Sequence, residues 1–242
     1  AGRLPFAPRI ARLELHDAQG SWFVVEEAAF DLDPWALLDG GIVVDRLAAR
    51  AVEFERLPAR GGSGDLGLPP LRLELRHLAV AALRLGAAGQ EAPVLALEGQ
   101  GTAGPNGFEL VLEARAPERN DRYRFALGLE PGVSGDDGGH WRLDLNIVEG
   151  PGGMLAALPQ VQGMAAVAGP WQLWAVAEGP SDRLGLRWGL EIGPLDTLAP
   201  GWRSRLLGQG TLTGAIDGPE LSAELDLSLD AVPGLQHAGP VR

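Results

Sequence analysis

Apolar and polar residues alternate along most of this chain with a period of two, the signature of strands that bury one face and wet the other. Leu71, Leu73 and Leu75 alternate with Arg72, Glu74 and Arg76. Tyr123, Phe125, Leu127 and Leu129 alternate with Arg122, Arg124, Ala126 and Gly128. Leu143, Leu145 and Ile147 alternate with Arg142, Asp144 and Asn146, and Leu184, Leu186, Trp188 and Leu190 with Gly185, Arg187 and Gly189. Leu221, Ala223, Leu225, Leu227 and Leu229 alternate with polar residues from Ser222 to Asp230. Looser alternation predicts strands over 10–15, 20–32, 41–48, 50–56, 78–85, 93–101, 108–115, 171–178 and 205–216. Turn chemistry separates them at 17–20, 105–107, 135–139 and 217–219. The pattern predicts an all-β chain of antiparallel meanders, each sheet with one wet side.

Helical signals are short. Asp33 suits an N-cap, Pro34 the first helical position and Gly40 the C-terminal stop, which predicts a helix near 33–39. A second short helix is predicted over 153–158, ended by Pro159. The chain holds 35 Gly and 19 Pro in 242 residues, in keeping with many turns and short elements. Gly61, Gly62, Ser63 and Gly64 followed by Pro69 and Pro70 make 57–70 a loop and a candidate sub-boundary. Both sides of it carry the same kind of strand, so 1–242 reads as a single segment. A faint repeat links Leu97-Glu98-Gly99-Gln100-Gly101-Thr102 with Leu206-Leu207-Gly208-Gln209-Gly210-Thr211.

Charge and composition narrow the chemistry. The net charge of −12 repels phosphate backbones and anionic lipid faces, which argues against a nucleic-acid partner. With no Cys there is no thiolate nucleophile and no zinc-thiolate or iron–sulfur site. His16, His77, His140 and His237 lie far apart without metal-ligand spacing, so neither metal nor cofactor is expected. The glycine strings at 62–67 and 99–104 are followed by Pro-rich turns instead of a helix, so they read as turns and not as phosphate cradles. Asp136 and Asp137 read as turn caps, and Glu26, Glu27, Asp31 and Asp33 as an acidic cluster without a marked catalytic pair. No catalytic residues are assigned, and an enzyme is not expected. Among the seven Trp, those at 141, 171 and 188 fit a sheet face, while Trp174 has the opposite parity to Trp171. The uncharged run 150–177 is broken by Pro151, Pro159, Pro170 and three Gln, and does not read as a membrane span. The chain begins at Ala1 and reads as a processed protein or a fragment, with any membrane anchor outside it.

Several segments, in order, resemble the TamB family of the AsmA-like group of Gram-negative bacteria. Arg12-Leu13-Glu14-Leu15-His16-Asp17-Ala18-Gln19-Gly20-Ser21-Trp22 is similar to that family's early strand and turn. Phe30 to Gly40, with Pro34, Trp35, Leu37 and Leu38, resembles its next segment, and Ile42 to Arg50 the strand pair after it. Leu95 to Gly101 and Glu149 to Leu158 resemble later family segments. Asp39 stands where the family often has Arg, and Asp31-Leu32 where it has Asp-Trp. The resemblance implies an elongated antiparallel sheet curled into a U-shaped apolar groove, a β-taco. It implies a periplasmic bridge, anchored to the inner membrane, that carries phospholipid acyl chains toward the outer membrane. The implied protein partner is a TamA-like outer-membrane barrel, reached through parts of the chain not seen here. The other function implied is assembly of outer-membrane proteins by strand pairing.

The residues expected to line the groove are Leu71, Leu73, Leu75, Leu110, Leu112, Phe125 and Leu127. To these are added Leu143, Leu145, Leu184, Leu186, Trp188, Leu225 and Leu227. The same residues would fill the core of a closed β-sandwich.

Overall fold

The computed structural model describes residues 7–17, 20–54, 70–85, 94–132, 139–151, 153, 170–180, 182–193, 204–213 and 220–226. It is all-β and mostly antiparallel, and divides into two compact units, Ala1–Glu118 and Arg119–Arg242.

The first unit carries β1 (Arg9–Asp17), β2 (Gly20–Asp33), β3 (Gly41–Phe54), β4 (Arg72–Leu85), β5 (Leu95–Gly104) and β6 (Gly107–Arg115), side by side in chain order. All neighbours are antiparallel except β3 and β4, which are parallel. That pair corrects the expectation of meanders throughout. Alternation dictates the face a residue takes, but not the direction of the adjacent strand.

The strands predicted over 41–48 and 50–56 are one strand, β3, and those over 71–76 and 78–85 are one strand, β4. The breaks in alternation are β-bulges, not strand ends. Between Leu75 and Leu78, β4 advances three residues while β5 advances two, from Gly101 to Gly99. The same occurs from Val80 to Leu83 against Leu97 to Leu95. A single register offset holds along the β3–β4 pair, so β3 makes matching steps from Val44 to Leu47 and from Ala49 to Val52. The second step continues into β2, where Glu27 takes a positive φ of 50°, costly for a side chain of its size. Arg50 Nε holds the Glu27 carboxylate at 2.9 Å. Each step inserts one residue and so returns the next apolar side chain to the same face.

The segment predicted as a helix near 33–39 is a turn with one short 3-10 stretch, Ala36–Asp39. The C-terminal stop falls at Gly40 as expected, with φ 75°, but the N-cap is Trp35 and not Asp33; Asp33 Oδ1 instead accepts from the Trp35 amide at 3.0 Å, ahead of the 3-10 stretch. Only the few residues between β2 and β3 are available, too few for a stable α-helix. The helix predicted over 153–158 lies outside the described residues, Gly153 apart, as does the loop 57–69.

The second unit carries β7 (Arg122–Glu130), β8 (His140–Glu149), β9 (Trp171–Pro180), β10 (Arg183–Ile192), β11 (Ser204–Thr213) and β12 (Glu220–Asp226), antiparallel throughout in chain order. A buried polar cluster ties the start of β7 to the end of β8. Asp121 and Glu149 are fully buried. Asp121 accepts from the Gly150 amide at 2.7 Å and lies 2.7 Å from Arg119 Nε. Tyr123 Oη donates to Glu149 Oε1 at 2.7 Å. Pairing in this way offsets the desolvation of two carboxylates.

The two Gly-Gln-Gly segments of the repeat occupy equivalent places in the two units. In β5, Gly99 lies between Leu78 and Leu112, and Gly101 between Leu75 and Leu110. In β11, Gly208 lies between Trp188 and Leu225 in the register, and Gly210 between Leu186 and Ala223. The glycines at 99–104 are strand residues, Gly99 and Gly101 as the strand over 93–101 predicts and Gly104 beyond it, and not the turn expected of the glycine string. Their reason is space: a Cβ at Gly99 would lie 2.6 Å from Leu112 Cδ2, and one at Gly208 would meet the Trp188 indole. Large side chains lean over the glycines and level the face. Gly208→Ala is accordingly expected to destabilise the unit by about 1–3 kcal/mol through overpacking. Gly185→Ala, whose nearest neighbour would be 3.5 Å away, is expected to be neutral or stabilising by roughly 0.5–1 kcal/mol. Thermal unfolding of the two variants distinguishes them; equal melting temperatures would contradict the packing account.

Candidate functional site

Cross-strand partners share a face, so the registers define the two surfaces of each sheet. In the first unit one row runs Ile42, Leu73, Ala103, Phe108; the next Val44, Leu75, Gly101, Leu110; the next Leu47, Leu78, Gly99, Leu112; and then Ala49, Val80, Leu97, Ala114. Every member is apolar or glycine. In the second unit one row runs Phe125, Leu145, Ala175, Trp188, Gly208, Leu225, and the next Leu127, Leu143, Ala177, Leu186, Gly210, Ala223. Leu184 pairs with Leu212 on the same surface.

Of the residues expected to share one surface, Leu73, Leu75, Leu110 and Leu112 do so in the first unit. Phe125, Leu127, Leu143, Leu145, Leu184, Leu186 and Trp188 do so in the second, and Leu225 joins them by backbone register. Leu71 immediately precedes β4 and is exposed. Leu227 lies outside the described residues. Trp174 falls on the opposite surface from Trp171, over Gly189.

The sequence pattern missed about half of the first unit's apolar surface. Ile42 and Val44 of β3 belong to it beside Leu73 and Leu75, and Leu47, Ala49 and Val52 of β3 with Leu78, Val80 and Leu83 of β4 join it through the two bulge steps. Strict alternation from Leu73 and Leu75 excludes those beyond a step. The signal was present as two apolar residues three apart, repeated in both strands.

Neither surface is covered by a second layer among the described residues: strands pack on the neighbours they hydrogen-bond to. The apolar surface is consequently half-buried, not buried. Leu73, Leu75, Leu110, Leu112, Phe125, Leu127, Leu143, Leu145, Leu186 and Trp188 all retain partial exposure. Of the buried apolar side chains described, Ala49, Val52, Val80, Leu83 and Leu95 sit where β3, β4 and β5 crowd at the second step, and others, such as Val24, Val43, Ile147 and Ala177, lie elsewhere.

The opposite surface of the first unit carries a ladder of ion pairs. Arg12 meets Glu14 and Glu26, and Arg50 bonds Glu26 at 2.6 Å and Glu27 at 2.9 Å. Arg76 bridges Asp45 at 2.6 Å and Glu74 at 2.9 Å, Arg84 pairs with Glu53, and Arg115 with Glu98. The expected acidic cluster at Glu26 and Glu27 is thus part of this ladder. His16 lies 3.1 Å from Glu14, and His140 3.4 Å from Glu178. The sides differ in kind: one is paved with hydrocarbon, while the other carries the paired charge, with a few small apolar residues such as Val24, Val43 and Ala51 buried among it.

Comparison with protein-family models, with curated proteins and with solved structures finds no match to this chain.

The hydrogen bond from Arg76, aided by the charges of Arg72 and Arg76, holds the Glu74 carboxyl below the ordinary glutamate range, against a smaller opposing effect of burial. A carboxyl lowered on folding stabilises the fold above its unfolded value, and that stabilisation is lost as pH falls through the folded value. Glu74→Gln should therefore lower the urea midpoint at neutral pH. The gap to the parent should shrink steadily in acid below the ordinary glutamate value. Urea titrations of both proteins across that range check this; a gap independent of pH would contradict it.

Proposed function

We propose that the apolar surfaces of both units hold acyl chains of phospholipid, and that the chain is a segment of a periplasmic lipid conduit. The observation that carries this reading is the combination of a largely apolar surface with the lack of any described protein layer over it. Exposed apolar surface of this extent calls for an occupant. A bent sheet, with bulges that increase local twist, favours curling into a U-shaped groove around such an occupant.

The energetics suit transfer. Each buried CH₂ contributes about 0.8 kcal/mol, so a tail of roughly fourteen carbons contributes on the order of 10 kcal/mol gross. Leaving a bilayer costs a similar amount, so exchange is near neutral. Glycines levelled by Leu112 and Trp188 give a smooth wall without a fixed polar anchor, which favours sliding over specific binding. The periplasmic location, the inner-membrane anchor and the TamA-like barrel partner rest on the motif resemblance. A strand-pairing assembly role finds less support. The outer edge of β1 carries Arg9, Arg12, Glu14 and His16, the charged chemistry that discourages edge pairing.

Photocrosslinkers at Leu73, Leu127 and Leu186 should capture phospholipid, while those at Arg72, Arg124 and Arg187 should not. Equal labelling of both sets would refute a sided groove. Leu145, half-buried beside Phe125 and Ala175, gives a second test. In an open groove the carboxylate of Leu145→Asp reaches water and the fold survives, but a passing acyl chain meets a barrier of a few kcal/mol. At about 1.36 kcal/mol per tenfold, vesicle-to-vesicle transfer should fall by roughly two orders of magnitude. Asp144→Leu, on the other surface, should transfer normally. A Leu145→Asp protein that folds and transfers normally contradicts the conduit; one that unfolds indicates a closed core.

A further inference from the structure

We propose that the turn between β2 and β3 is a membrane-contact tip that seats in the interface of a zwitterionic bilayer. It needs only the turn itself and stands whether or not the sheets carry lipid.

Trp35, Leu37 and Leu38 are 73%, 56% and 78% exposed, the three highest values among the exposed large apolar residues described. They fall within four consecutive positions. Ile42 and Leu71, beside them where Gly41 pairs with Arg72, are exposed as well. Scattered exposed apolar residues are ordinary; a group concentrated on one protruding turn is not.

Three features select a bilayer as the occupant. The first is the backbone. Trp35 donates its amide to Asp33 Oδ1 at 3.0 Å, Leu38 to the Trp35 carbonyl at 3.0 Å, and Gly40 to the Leu37 carbonyl at 3.3 Å, while Pro34 has no amide hydrogen. Backbone donors satisfied within the turn can enter a medium of low polarity without stranded hydrogen bonds. The second is side-chain chemistry: a Trp between polar and apolar surroundings, next to two Leu, is the composition that settles at the membrane interface. The third is charge. The exposed residue next to Leu38 is Asp39, Asp33 lies at the base of the turn, and the chain carries −12 overall. That charge opposes anionic headgroups, so the preferred surface is phosphatidylcholine-like and not phosphatidylglycerol-like.

The chain has no cysteine, so single cysteines introduced by Leu38→Cys, or by Gln100→Cys on the exposed charged side, can be labelled cleanly with an environment-sensitive dye. With phosphatidylcholine vesicles the Leu38 label should brighten and shift to the blue, and the protein should float with the vesicles. The Gln100 label should not respond. Phosphatidylglycerol-rich vesicles should give a weaker response. Trp35→Ser combined with Leu37→Ser, both on the exposed turn, should leave the melting temperature unchanged and weaken vesicle partitioning by roughly tenfold or more. The proposal is overturned by a silent Leu38 label, by equal responses at both sites, or by stronger binding to the anionic vesicles. It is also overturned by a Leu38 signal that grows with protein concentration without vesicles, which would assign the turn to self-association.

Discussion

Among the described residues, an apolar sheet surface lies without a protein layer over it, and this is the constraint on which the rest of this structure depends. Ordinary sheets bury that surface on a second sheet or on helices. Here, among the described residues, each six-stranded unit is a single layer, and the stabilisation that usually comes from a covering layer must come from elsewhere. Two sources are visible. Neighbouring side chains in the surface cover one another, as Leu112 covers Gly99 and Trp188 covers Gly208. On the other side, alternating Arg and Glu carry the strands on paired charge, as in the chain of contacts from Arg72 through Glu74 and Arg76 to Asp45.

The bulge steps serve the same constraint. A long strand such as β3 must keep one surface apolar over fourteen residues while the sheet twists. Inserting a residue at matching points in β3 and β4, and at the second point in β2 as well, lets the surface turn while Val44, Leu47, Ala49 and Val52 stay on it. Glu27, with its positive φ, marks where the second step crosses β2.

Much of this was legible in the residues. The strands of the second unit alternate without interruption, and Phe125, Leu127, Leu143, Leu145, Leu186 and Trp188 fall together as the alternation requires. In the first unit the same rule reads as stopping at Ala49 and at His77, where a bulge looks like a strand end. The parallel β3–β4 pairing was not legible, because a period-two pattern carries no direction. The turn at 33–40 announced its end through Gly40, but the N-cap fell at Trp35 and not at Asp33, whose carboxylate accepts from the Trp35 amide in a tight turn. The glycine string 99–104 reads both as the end of a strand and as a turn, because a glycine accommodating a neighbour's side chain and a glycine making a turn are the same letter.

The central claim is that the uncovered apolar surface is occupied by hydrocarbon. The most direct measurement is mass spectrometry of the organic extract of the chain purified without detergent. The account predicts phospholipid in near-stoichiometric or greater amount, recovered from the parent and depleted in the Leu145→Asp protein. A correctly folded parent that carries no lipid would contradict it.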